Sequence, residues 1–465
     1  CRMLYRIALF LIFIGLAACG SGPKSKESTR EANPIETVEI SDDLTFWKDA
    51  APIVFKNCTP CHHQDGAGPF PLTDFEAVKK RTKTIRQVVA DGYMPPWPAD
   101  PEYSRFKGEK ILSKKEKLTL IGWIDQGAPE GTKTEPIPQP KIFTEENPEE
   151  PDLIIPYADT VWIPGQNLDI FRIAKIPIEL PRDTIIKAIH FKPGNKQLVH
   201  HVNGHLINYE KGMKKNPRQG EWIIDAEKMN SLEAYRLMEI ANDDGTYPVM
   251  RVSAFNYLPG VEALQYPEGI GGLFINKNAA FLLNTLHFGP SPLDTFDYSQ
   301  IEVYFAEERP ERPVSELHMG TQGITKIEPD FILPAGKVST FTTKYRLPES
   351  ISVLTVNPHM HLLGREFTAY AYSEDKSDTI PLIRIPEWDF RWQYFYTYEK
   401  ILVVPKGYTI EVVAVFDNTG QNPFNPNSPP KTLSEAGKNM KTTDEMFQFF
   451  VNYMPYQKGD ENIQL

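Results

Sequence analysis

From Trp162 to the C-terminus the chain alternates apolar and polar residues in short runs, each closed by proline, glycine or asparagine. Period-two alternation puts every second side chain on one face of an extended strand, so that face can cover a core. Ile185 to Phe191, Ala279 to Leu286, Ile301 to Phe305, Ser339 to Tyr345 and Tyr408 to Phe416 are runs of this kind. The 41 prolines and 29 glycines of the whole chain point the same way, toward short strands and many turns rather than long helices. At 465 residues the chain is too long for one core. The β part is long enough for two antiparallel sandwiches, expected over 161–315 and 316–465.

The N-terminal part reads differently. Phe46 to Cys58 and Asp74 to Ala90 have helical apolar spacing, and Ser113-Lys-Lys-Glu116 has the form of a capping box opening a helix over Leu118 to Gln126. A helical domain is therefore expected over 43–132, joined to the β part by a linker rich in proline and acid at 133–160. Residues 20–42 are polar and charged and read as a tether. Ahead of them Arg2 and Arg6 precede and flank the apolar run Ile7 to Leu16, too short to span a bilayer as a helix. Leu16-Ala-Ala-Cys19 then resembles a bacterial lipoprotein signal, with residues 1–19 the signal peptide, Met3 the start and Cys19 the lipidated residue. The mature chain is thus expected in the bacterial cell envelope, lipid-anchored to a membrane and facing the periplasm or the exterior. A formal charge of −11 argues against a nucleic-acid partner, which needs clustered basic surface.

Of the four cysteines, two remain once Cys1 and Cys19 are set aside. Asn57-Cys58-Thr59-Pro60-Cys61-His62 is Cys-x-x-Cys-His, the attachment signature of c-type haem. Two thiols three apart at a helix start can each bond a porphyrin vinyl group, and His62 then faces the iron. A redox dithiol lacks its βαβ context here, and half a zinc site lacks its second pair. Met94, in Asp91-Gly-Tyr-Met94-Pro-Pro-Trp97, stands where a small cytochrome c domain places its methionine ligand, and Gly122 to Glu130 resembles the last helix and turn of such a domain. The fold class expected is accordingly multidomain: a small all-α cytochrome c domain carrying haem c, followed by two antiparallel β-sandwich, jelly-roll-like domains. His63 reads as a solvated neighbour.

The histidines of the β part are unevenly placed. Val199-His200-His201-Val202, Leu286-His287 and Asn357-Pro-His359-Met-His361 all sit in strand-like runs, and Asp444-Glu-Met446 closes the set. His-x-His on a strand puts both imidazoles on one face, about 6.7 Å apart. A tandem pair needs a distortion, for instance a bulge, to bring both rings to one ion.

This series, with Phe191-Lys-Pro before it and Leu-Leu-Gly364 after His361, resembles the copper type II, ascorbate-dependent monooxygenases over roughly residues 160–460. The resemblance implies two linked β-sandwich domains with one copper ion each, facing across a solvent-filled cleft. His200, His201 and His287 would hold an electron-storing copper. His359, His361 and Met446 would hold the copper that meets dioxygen, with Met454 a nearby rival to Met446. Imidazoles suit a copper that cycles between oxidation states, and a thioether favours Cu(I). His190, His205 and His318 fall outside the pattern, although His205 shares the face of His201 on a regular strand.

The departures are as informative. The β part has no cysteine, whereas the eukaryotic enzymes are disulfide-rich. Asn357 stands where the family has an arginine for a peptide carboxylate, and Phe450 where it has a tyrosine, so peptide amidation is not expected. Trp388 and the aromatic cluster Trp392 to Tyr398 either line an apolar pocket or fill a core. The function expected is haem- and copper-dependent hydroxylation of a small organic substrate by O2, with an external electron donor. The alternative is a non-enzymatic haem and copper lipoprotein that transfers electrons or binds copper.

Overall fold

Two pairs of antiparallel sheets make up most of the protein in the computed structural model, which describes residues 40–465 apart from 65, 143–148, 157–159, 227, 268 and 435–442. The signal, Cys19 and almost all of the tether lie outside the described residues. In the first pair a four-stranded sheet runs Leu153–Pro156, Gln300–Phe305, Thr184–Lys192, Leu273–Ile275. The five-stranded sheet opposite runs Ile223–Asp225, Ile170–Glu179, Asn278–Phe288, Val199–Asn208, Val249–Tyr257. Ile186 and Val303 from one sheet and Ile176, Leu206 and Phe281 from the other meet in a single buried core.

The second pair repeats the plan. Its four-stranded sheet runs Ser315–Gly320, Gln448–Pro455, Ile351–His359, Tyr396–Val404. Its five-stranded sheet runs Ile327–Glu328, Lys337–Arg346, Thr409–Asn418, Gly364–Tyr372, Thr379–Ile385. Val353, Val356 and Phe449 pack against Phe341, Ala369 and Val412 between them. The first core also takes in Leu354, Ile401 and Met454 from the second pair, so the two pairs share apolar contact. All five alternating runs singled out from the sequence lie in strands. Within the acidic stretch before the sheets, Leu153–Pro156 is itself an edge strand paired with Gln300–Phe305, because its Leu-Ile-Ile run can bury where its neighbours cannot.

The expected all-α cytochrome c domain is not what the chain forms. The described residues contain twenty strands against five α-helices, and the helices are only five to twelve residues long. Residues 40–465 cluster as one compact unit. Helices Ala51–Asn57, Phe75–Lys79, Thr82–Ala90 and Lys114–Asp125 do cover a small core around Phe46 and Trp123. The Ser113–Glu116 capping box is present, with Ser113 Oγ accepting from Glu116 N at 3.2 Å and Glu116 Oε2 accepting from Ser113 N at 2.8 Å. The chain between these helices, however, belongs to the β body. Asp100 N donates to Arg384 O at 2.8 Å, Lys107 N to Thr397 O at 2.7 Å, and Ala99 and Phe106 are buried in the second β core. Helical spacing says which side of a helix is apolar but not what covers it. Here Trp97 and Phe106 find their cover on Tyr394, Tyr396 and Tyr398. No helix among the described residues is long and apolar enough to cross a membrane.

Candidate metal centres

His200 and His201 lie on Val199–Asn208 and His287 on the adjacent strand Asn278–Phe288. Val199 pairs with Phe288 but His201 with His287, so His200 is one residue too many on its strand. That bulge is the distortion a tandem pair requires. It brings the His200 and His201 rings to 4.9 and 5.0 Å from the His287 ring. His287 Nε2–H donates to Asp169 Oδ1 at 2.7 Å, which leaves its Nδ1 facing His201 Nδ1 at 3.1 Å. Two nitrogens on one tetrahedral ion, with bonds of about 2.0 Å, sit about 3.3 Å apart. Without an ion a proton must lie between them; a metal replaces it. Burial, aided by the neighbouring imidazoles, holds His201 well below the ordinary histidine range, so it is neutral at pH 7. Asp169, His200 and His287 also place one ligand atom each within 4.8 Å of one another.

Gly289 supplies the room for this arrangement: a Cβ there would lie 2.5 Å from His200 Nε2. Gly289→Ala is therefore expected to displace the His200 ring and weaken copper binding at this group alone. Copper titration followed by electron paramagnetic resonance checks it, and two unchanged copper signals would reject it.

His359 ends the strand Ile351–His359 and His361 lies in the turn beyond. Their Nε2 atoms are 3.2 Å apart. Both Nδ1–H groups point outward, His359 to Gln393 Oε1 at 2.6 Å and His361 to Asp444 O at 2.9 Å. With both Nδ1 atoms engaged, the two Nε2 atoms face one point, an arrangement that suits a metal held by both. Burial first, then the neighbouring His361, pushes His359 down to about 3. The partner strand Gln448–Pro455 pairs Gln448 with His359, which sets the fully buried Met446 just beyond the ladder on the side of the His361 turn. Glu445 ties the two segments together: it accepts from His361 N at 3.0 Å, Leu363 N at 2.6 Å and Met446 N at 3.3 Å. Burial pushes the Glu445 carboxyl up to about 8 against the pull of those three N–H groups. Met454, the rival sulfur, is core, paired with Ser352 far along the strand from His359.

The Cys58–His62 motif follows the end of helix Ala51–Asn57, with Cys58 as its C-cap, and not a helix start. Neither thiol is in a disulfide. Burial, with Cys61 adding to it, pushes the Cys58 thiol up to about 12. His62 Nδ1–H donates to Phe70 O at 2.9 Å, which leaves Nε2 as the ring's lone-pair nitrogen. Gly68 packs so closely that a Cβ would lie 2.5 Å from His62 Nδ1. Met94 sits in the turn after helix Thr82–Ala90, its N–H bonded to Val88 O at 3.0 Å.

The second sheet pair carries a family signature. Residues 322–462 match the copper type II ascorbate-dependent monooxygenase C-terminal domain. The stretch contains His359, His361 and Met446. No curated protein matches the chain. Among solved structures, the VP2 subviral particle of infectious bursal disease virus is similar at 7% identity, covering 68% of this chain and 84% of that one, with a TM-score of 0.16. The Gt strain of the same virus is similar at 10% identity, covering 68% and 78%, also at 0.16. Likeness at that score carries no weight for fold or function.

A cavity of about 160 Å³ borders the His359–His361 pair and reaches Asn203 and Thr285, which follow the His201–His287 pair along the same strands. Phe171, stacked on the His287 ring at 4.3 Å, lines it, as do His359 and His361. Asn357 lies on its wall but gives its amide to Tyr394 O at 2.8 Å, and Phe450 stacks on His318 at 4.4 Å. Of the aromatics weighed as pocket or core, Phe395 reaches the cavity, whereas Trp388 and Tyr394 to Tyr398 otherwise pack in the core. His205 lines the cavity with Nδ1 3.4 Å from Met250 Sδ. His190 packs on Tyr304 in the other sheet. Asp169, Gln393 and Glu445 escaped sequence reasoning. A lone Gln or Asp carries no local signal, and Glu445 stood in a quoted motif without a role.

Proposed function

We propose that the protein is a copper-dependent monooxygenase acting on a small organic substrate: R–H, dioxygen, two electrons and two protons give R–OH and water. The observation that carries this is the His359–His361 pair, whose outward-bonded Nδ1 groups leave two Nε2 atoms 3.2 Å apart at the wall of a cavity. The match of residues 322–462 to a copper monooxygenase domain supports the choice of metal. His359, His361 and Met446 would hold the copper beside substrate; His200, His201 and His287 would hold the second. Copper supplies the redox chemistry with dioxygen. The chain's own part is to fix the imidazole tautomers through Asp169, Gln393 and the Asp444 carbonyl, and to bury the His359–His361 pair away from bulk water.

The finer reading adds haem c, bonded to Cys58 and Cys61 with His62 and Met94 on the iron, as the relay from an external donor. Its support is the Cys-x-x-Cys-His motif with neither thiol in a disulfide, the His62–Phe70 bond and a covalent and hydrogen-bonded path onward. Pro96, two residues from Met94, accepts from Tyr394 OH at 2.7 Å, and the next residue, Gln393, holds His359. Acylation of Cys19, anchoring the chain to a membrane of the cell envelope, belongs to the same reading. The exposure of His200 favours a second reading, an electron carrier without a substrate, because an open site exchanges electrons readily. Oxygen uptake by the reduced, copper-loaded protein separates the two. Uptake that depends on an added organic substrate is expected; uptake indifferent to every substrate would leave the carrier.

A further inference from the structure

The cavity bordering the His359–His361 pair has walls with an unusual charge pattern. Among the described residues that line it there is no lysine, arginine, aspartate or glutamate. Its polar atoms are amides, the Tyr235 and Thr285 hydroxyls and histidines, and its apolar surface comes from side chains such as Phe171, Phe390 and Phe395. Burial, with His318 adding to it, pushes His205 down to about 3, so it adds no charge at neutral pH.

Two of the polar groups form a pair. Asn203 and Thr285 face each other across adjacent strands, two rungs beyond the His201–His287 pair and therefore on the same face. Both side chains line the cavity, and neither hydrogen-bonds within the described protein. An amide and a hydroxyl together offer donors and acceptors in one place. Resting on the reading of this site as an oxidation centre, we propose that Asn203 and Thr285 anchor the substrate. That substrate is an uncharged molecule with an amide or hydroxyl at the anchor and an apolar or aromatic portion extending toward His359 and His361.

The physical reason is desolvation. A carboxylate or ammonium entering this cavity gives up water without meeting an opposite charge on the protein, whereas a neutral amide exchanges its water for Asn203 and Thr285. Copper repels an ammonium further, and Cu(I) is a poor partner for a carboxylate.

Three probes of nearly the same shape test this: benzamide, benzoate and benzylammonium, titrated calorimetrically into the full-length protein at pH 7.5, metal-free and loaded with Cu(I). Benzamide is expected to bind at least tenfold more tightly than either ion in both forms. Thr285→Val, which keeps the shape of the residue, and Asn203→Ser are each expected to weaken benzamide about three- to tenfold, the worth of one hydrogen bond. Benzoate or benzylammonium binding as tightly as benzamide, benzamide binding undiminished in both variants, or no benzamide binding would overturn the proposal. Probe binding needs no turnover. Selectivity can therefore fail while copper content and oxygen uptake stand, and those can fail while selectivity stands.

Discussion

Replacing His359 by alanine is expected to lower bound copper from about two ions per chain to about one, and to stop hydroxylation. The two donor groups lie on different sheet pairs, His200, His201 and His287 on the first and His359 and His361 on the second, so each can assemble without the other. His201→Ala should accordingly leave the His359 group loaded while removing the first copper. Met446→Leu should resemble His359→Ala if the thioether is a ligand. Copper counting by mass spectrometry on the intact chain, with the paramagnetic signal of each remaining site, distinguishes these outcomes. A wild-type chain that takes up one copper at saturation would end the two-site assignment.

The second large effect concerns Glu445. Its carboxyl oxygens accept from three buried backbone N–H groups, on His361, Leu363 and Met446. Glu445→Leu leaves all three without a partner at about 1–3 kcal/mol each, so a loss of about 3–6 kcal/mol in stability is expected, allowing for partial relaxation. The same change frees the His361 turn from the Met446 segment, so copper at this group should be lost while the His200 group keeps its own. Glu445→Gln retains an acceptor oxygen but turns an NH₂ toward one N–H, and should fall between the two. Thermal unfolding of the metal-free protein reads the first effect and copper titration the second. A leucine variant with wild-type stability and two coppers would show that the carboxyl group holds nothing together.

Sequence alone settled the strands and the cap and named the candidate donors. Alternation in Ile185–Phe191 or Tyr408–Phe416 is a local property, and each run is a strand because one face of it must be covered wherever it pairs. The Ser113–Glu116 box is equally local and forms as its spacing requires. The identities of the metal-binding candidates are likewise residue chemistry, legible as soon as His200, His201, His287, His359, His361 and Met446 are seen in order. Tertiary structure decided what faces what. The bulge at His200 comes from the pairing of two strands some eighty residues apart in sequence, and nothing within Val199–Asn208 specifies it. Asp169 reaches His287 and Gln393 reaches His359 across 118 and 34 residues, distances over which sequence pattern carries no information. The helical segment shows the limit most plainly. Its helices pack on a small core of their own around Phe46 and Trp123, yet the loop residues Trp97 and Phe106 between them pack on Tyr394, Tyr396 and Tyr398 of the β body. Burial has no direction along the chain, so only the folded packing could choose the partner.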